Sequence, residues 1–215
     1  TNNGSVTGLT AGGAANDTAL TVGLDTSTAG IFTGGTAGVA SVALASHNPD
    51  MSDLTLPSQD VTLTATVNNY ANALFGKVSG AGTLSNTGSQ FILNFGNVVQ
   101  GSAALQAILD IENAVAGPAD LLNGGLALVD GDDFASTLLL TAFSDVVAGG
   151  NSGNALSFLF NSATLGAFQD VVTLSWFGHN GSGYQDQTHL CAVLMQGNVI
   201  QSNGTVPEPG TLLLL

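Results

Sequence analysis

The chain repeats part of itself, and that repeat limits its possible folds more than any other feature. Ala19 to Gly30, ALTVGLDTSTAG, returns as Ala155 to Gly166, ALSFLFNSATLG, displaced by 136 residues. Val39 to His47, VASVALASH, returns as Val171 to His179, VVTLSWFGH, displaced by 132. Ala40 falls on Val172, Val42 on Leu174 and Leu44 on Trp176, so the period-two parity that decides which side chains of a strand face inward is kept. Two copies of one β unit follow from this. Only 18 residues precede the repeat in the first copy, against about 60 in the second, so the first copy lacks about half of the strands its hairpin should pair with. A half sandwich leaves an apolar face and strand edges in water, a strong drive to recruit a strand from elsewhere.

Along the chain, strands are expected at about Thr18 to Leu24, Val39 to Ala45 and Val61 to Val67, with Val61, Leu63, Ala65 and Val67 on one face. HNPDMSDLTLP, with Pro49 and Pro57, reads as a loop, and Tyr70 to Gly88 as a Gly, Ser and Asn-rich link. The second unit then supplies strands at Gln90 to Phe95, Ala104 to Asn113, Leu121 to Val129, Leu138 to Phe143, Ala155 to Phe160, Val171 to Phe177 and His189 to Leu194, the last reaching towards Ile200. GNVVQGS reads as a turn. Ala103 to Val115 also has partly helical spacing; its β neighbours favour a strand, and the Ile108 and Asp110 alternation suits an edge. The fold class is all-β, two tandem immunoglobulin-like β-sandwich units of which the first is incomplete. The division runs 1–75 for the partial unit, 76–203 for the complete one and 204–215 for a tail.

Charge removes several functions. Fifteen acids stand against one base, Lys77, for a net charge of −14. Nucleic-acid binding needs cations to displace phosphate counterions, and that class is excluded; anionic membrane surfaces are disfavoured by the same sign. Charged residues are only 7% of the chain while hydrophobic residues are 44%, an uncharged coat that lets sheet surfaces lie together with little desolvation. Cys191 is the single cysteine and sits in the apolar run HLCAVLM, which reads as a buried structural thiol.

Candidate sites are few. Asp130, Asp132 and Asp133 in VDGDDF set three carboxylates around a turn, where oxygen ligands could hold calcium, although a solvated turn is the favoured reading. His47 and His179 stand at equivalent ends of the repeated strand, which favours a structural role. Ser182, His179 and Asp186 lie close in sequence without a nucleophile motif around them, so the chain is not read as an enzyme. Alternation turns Trp176 inward and Phe177 outward; an exposed Phe177 with Tyr184 would make a contact for another subunit or for a glycan or matrix partner. Asn3, Asn16, Asn180 and Asn203 are glycosylation sequons in expected loops.

Two stretches carry family likeness. FGNVVQGS at Phe95 to Ser102, with the strand that ends at Glu112 and Asn113, resembles the start of bacterial choice-of-anchor D domains; Leu9 to Gly30 and LPSQDVTLTATV at Leu56 to Val67 are similar to the latter half of such a module. The likeness extends from about Leu9 to Ile200 and implies immunoglobulin-like modules in tandem on an exported protein. Val206 to Gly210, VPEPG, followed by Leu212, Leu213, Leu214 and Leu215, resembles the beginning of a PEP-CTERM sorting signal, lacking the family's apolar span and basic end. This implies the exterior or surface of a Gram-negative bacterium. Four leucines cannot cross a bilayer, so this chain is expected to carry no membrane span. Starting at Thr1, it is expected to be a processed product or a piece of a longer tandem array. The function expected is an extracellular structural protein, a filament, sheath or biofilm-matrix subunit that forms a homo-polymer by strand exchange. The donor is either the Gly-rich N-terminal stretch or Val206 to Leu215. The alternative is an adhesin that binds a glycan or protein.

Overall fold

The computed structural model describes residues 2–14, 18–33, 38–88, 90–130, 142–153 and 156–202, the side chains of 2, 3, 126 and 128–130 excepted. Among the described residues the chain is all-β, without a helix, and forms two compact units. The first unit comprises 1–70 with 116–119, and the second 71–115 with 120–215. The division at Tyr70 falls a few residues before the expected one.

The second unit is a sandwich of a three-stranded and a six-stranded sheet. Its strands are β7 (Ala73–Gly80), β8 (Thr83–Asn86), β9 (Phe91–Val99), β10 (Leu105–Asn113), β11 (Leu121–Asp130), β12 (Phe143–Val146), β13 (Leu156–Phe160), β14 (Gly166–His179) and β15 (His189–Ile200). The six strands before them, β1 (Asn2–Asn3) to β6 (Ala65–Val67), belong to the first unit. One sheet runs β13-β10-β7 and the other β12-β11-β14-β15-β9-β8. Every pairing is antiparallel except β15 with β9, which is parallel. The β10–β13 pair in one sheet against β11–β14–β15 in the other is the strand arrangement of an immunoglobulin sandwich. Inward parity makes the core: Leu93, Leu109, Phe158, Phe160, Leu174 and Met195 are fully buried. Phe160 stacks on Phe95 with ring centroids 5.3 Å apart and meets Phe168 edge-on at 6.0 Å. Gly197 is required opposite that ring, because a Cβ there would stand 2.6 Å from Phe160.

Several expectations are corrected in this unit. The supposed link holds two strands, β7 and β8: in ALFGKVSG, Ala73 and Phe75 are buried and Phe75 packs edge-on against Phe91 at 5.2 Å. A short run with only two apolar residues on its inner face is hidden by its glycines and Lys77. Ala104 to Asn113 is a strand, but a central one, since β7 and β13 flank β10 and bury Ala107, Leu109 and Ile111. GNVVQGS is not wholly a turn, because β9 runs on to Val99 through pairing with β15. Of the strand expected at Leu138 to Phe143, residues 138–141 lie outside the described residues; β12 begins at Phe143.

The first unit holds β1 (Asn2–Asn3), β2 (Thr21–Val22), β3 (Gly30–Phe32), β4 (Val39–Asn48), β5 (Met51–Thr62) and β6 (Ala65–Val67). They pair as three separate two-stranded sheets, β1-β2, β3-β6 and β4-β5. The strand expected at Thr18 to Leu24 is reduced to Thr21 and Val22. HNPDMSDLTLP is no loop: the chain turns at Pro49 and Asp50 and returns as twelve residues of strand. Pro57 is accommodated at a bulge, because Val42 pairs with Gln59 while Leu44 pairs with Leu56, giving β5 one residue more than β4. The strand expected at Val61 to Val67 breaks at Leu63 and Thr64, its ends joining different sheets. The large-scale contrast between the units is burial. Ala40 and Val67 are the buried hydrophobic residues described in the first unit, against a continuous core in the second.

Candidate functional site

The β4–β5 ribbon is amphipathic. Residues directly opposite each other in an antiparallel pair project to the same side. The register therefore gathers Ala40 with Val61, Val42 with Gln59, Leu44 with Leu56, Ser46 with Leu54 and Asn48 with Met51 on one face. That face is apolar along most of its length and carries no charge. Val39, Ser41, Ala45, Thr55, Asp60 and Thr62 occupy the other face, where Ser41 Oγ donates to Asp60 Oδ1 at 2.5 Å. The face is covered only at its Ala40 end, where Ala40 is buried and Val42 half-buried; beyond that Met51 is 71% exposed, Leu54 63% and Val61 51%, with Leu44 and Leu56 also open. A two-stranded ribbon with a bare apolar face is marginal in water by itself.

The repeat shows why burial differs at matched positions. Ala40, Val42 and Leu44 correspond to Val172, Leu174 and Trp176 of β14, and parity is the same in both strands. β14 lies between β11 and β15 under a second sheet, so Val172 and Leu174 are fully buried. β4 has β5 alone.

In the second unit, Trp176 takes the inward parity and stacks on His189 with ring centroids 4.5 Å apart; its Nε1 is buried without a hydrogen-bond partner. Phe177 points the other way but is half-buried, with the His179 ring 6.4 Å from its own, so it is not the exposed contact expected. Tyr184 is exposed, on the loop before β15, and its carbonyl accepts from the Asn180 N–H at 3.0 Å.

Each histidine has an aspartate beside it. His47 Nδ1 is 2.7 Å from Asp53 Oδ1, and His189 Nε2 is 2.8 Å from Asp186 Oδ2. His179 Nε2 is 3.0 Å from Asp145 Oδ1 without an aligned hydrogen bond. The hydrogen bond to His189, and then that from the Gln187 N–H, hold the Asp186 carboxyl below its ordinary range. Ser182 is turned to Asn180, Oγ to Oδ1 at 2.6 Å. Ser182, His179 and Asp186 are therefore engaged with three different partners. Burial raises the Cys191 thiol to about 11, consistent with a structural rather than a reactive sulfur.

The remaining sequence candidates divide between engaged and undescribed residues. Asn180 Nδ2 donates to Asp120 Oδ1 at 2.8 Å, so this sequon amide serves the fold. Asp130 ends β11 opposite Val171, while Asp132 and Asp133 lie outside the described residues. No group of three metal-ligating side chains occurs among the described residues. Val206 and Leu212 to Leu215 also lie outside them. The N-terminal stretch contributes β1, which pairs with β2 of its own unit.

Sequence reasoning missed the ribbon as a site because two prolines marked it as a loop. The available signal was the alternation of Leu54 and Leu56 with Asp53 and Thr55, echoing that of Val42 and Leu44 with Ser41, Ala43 and Ala45 before the turn. No helix among the described residues is long and apolar enough to cross a membrane. Comparison with protein-family models and with curated proteins gives no match.

Proposed function

We propose that this chain is an extracellular structural subunit, a component of a filament, sheath or biofilm matrix, in which neighbouring copies supply the β-structure that the first unit lacks. The observation that carries this reading is the bare, uncharged apolar face of the β4–β5 ribbon. A second copy suits that face because copies of net charge −14 repel, and can meet closely only where no carboxylates are brought together. Asp60 lies on the opposite face, Asp53 is paired with His47, and Asp50 lies in the turn. The extracellular address rests on the likeness of VPEPG to a PEP-CTERM signal and of the modules to choice-of-anchor D domains.

A glycan-binding role has less support. The aromatic platform it needs is not assembled, since Trp176 is stacked on His189 and Phe177 is half-buried.

Sedimentation velocity over a concentration series, with electron microscopy of the same samples, tests the proposal. Concentration-dependent association into extended particles is expected. A chain that stays monomeric throughout, with its ribbon protected from hydrogen exchange, refutes it.

A further inference from the structure

The two long edges of the ribbon are not equivalent. β5 carries Pro57, and both register shifts of the ribbon place the extra residue in β5: Val42 and Leu44 face Gln59 and Leu56, and Ser46 and Asn48 face Leu54 and Met51. A missing N–H and two bulges are the devices by which an edge strand resists a further partner. β4, by contrast, is ten residues without proline, bulge or acid, VASVALASHN. Among the described residues it pairs with β5 alone.

The direction of its backbone groups can be read from one bond. Leu63 N–H donates to the Gly38 carbonyl, which puts Gly38 in a hydrogen-bonded pair across the ribbon. Backbone direction alternates along a strand, so Ala40, Val42, Leu44 and Ser46 address β5. Ser41, Ala43, Ala45 and His47 then turn their N–H and C=O groups outward.

Building on the self-assembly reading above, we propose that β4 is the docking edge and that its occupant is β4 of a second copy, antiparallel and centred on Leu44. The register is the one that keeps the apolar faces on the same side. Leu44 faces its own equivalent, Val42 faces Ser46 and Ala40 faces Asn48; on the polar side Ala43 faces Ala45 and Ser41 faces His47. The outward groups of Ala43 and Ala45 then exchange hydrogen bonds, and Leu44 forms the closer, non-hydrogen-bonded pair. No carboxylate opposes another along this edge, which a chain of net charge −14 requires. The product is a four-stranded sheet with one continuous apolar face. This contact is two-fold and closes on itself. Alternated with a second two-fold contact through the apolar face, it generates an open fibre.

Cross-linking of the full chain locates the edge. In a Cys191→Ala background, Leu44→Cys places two thiols across a non-hydrogen-bonded pair, with Cα atoms about 4.5 Å apart, within disulfide range. Mild oxidation is expected to give covalent dimers of Leu44→Cys and not of Thr55→Cys on the β5 edge. Ala45→Pro and Thr55→Pro form the second arm, since these residues face each other in the ribbon and both turn their backbone outward. Ala45→Pro is expected to weaken association at least tenfold, and Thr55→Pro to leave it within twofold. If the parent chain associates but Thr55→Cys cross-links as readily as Leu44→Cys, or Thr55→Pro is the disruptive change, the edge assignment is overturned while self-assembly stands. If the parent chain does not associate, both fall.

Discussion

Replacing Met51 and Leu54 together by serine tests whether the apolar face drives assembly. Five side chains, Leu44, Met51, Leu54, Leu56 and Val61, leave on this face the equivalent of about two and a half fully exposed apolar side chains, at about 1.5–3 kcal/mol each on burial. The gross gain is about 4–8 kcal/mol, set against an association cost of at least about 4 kcal/mol. A single face contact is therefore weak, and ordered assembly requires contacts to act together. Met51 and Leu54 hold about half of that surface, so their loss removes about 2–4 kcal/mol. The midpoint concentration for association should rise at least about 30-fold by sedimentation velocity, a factor equal to about 2 kcal/mol. Neither residue belongs to the second unit's core, so the thermal unfolding of that unit, followed by Trp176 emission, should not move. An unchanged association midpoint would show that the face takes no part, and would remove the physical basis of the assembly reading.

Three further outcomes test the second unit. Asn113 is fully buried, its Nδ2 donating to the carbonyls of Asp120 and Val146 and its Oδ1 accepting from the Asn72 N–H, each at 3.0 Å. Asn113→Ala strands three backbone groups and should cost about 3–5 kcal/mol in urea unfolding; a loss under about 1 kcal/mol would mean water replaces the side chain. The Asp186 carboxyl titrates lower folded than unfolded, so its contribution is present above the unfolded range near about pH 4 and is lost as pH falls through the folded value. Emission from Trp176, stacked on His189, should change across that acid limb, and Asp186→Asn should flatten the change; an identical limb in the variant would assign it elsewhere. Cys191, its thiol raised to about 11, should react with an aromatic disulfide reagent at pH 8 at least about 10-fold slower in the folded chain than in urea. Equal rates would contradict its burial.

The sequence alone determined the all-β class, the repeat and its parity, because alternation is a property of neighbouring residues. It also supplied the inward turn of Trp176, which shares the parity of Val172 and Leu174. Tertiary structure decided what neighbouring residues could not. The irregular run around Pro57 became a strand because a long-range partner, β4, supplies a register in which the proline falls at a bulge. Residues 73–80 became a strand because β10 pairs with them and Phe91 receives Phe75. Phe177 is half-buried, and Asn180 committed its amide to Asp120, 60 positions away. Equal parity at Leu44 and Trp176 gave unequal burial for the same reason. A strand's pattern specifies which side is apolar, but the number of strands and layers around it decides whether water is excluded from that side.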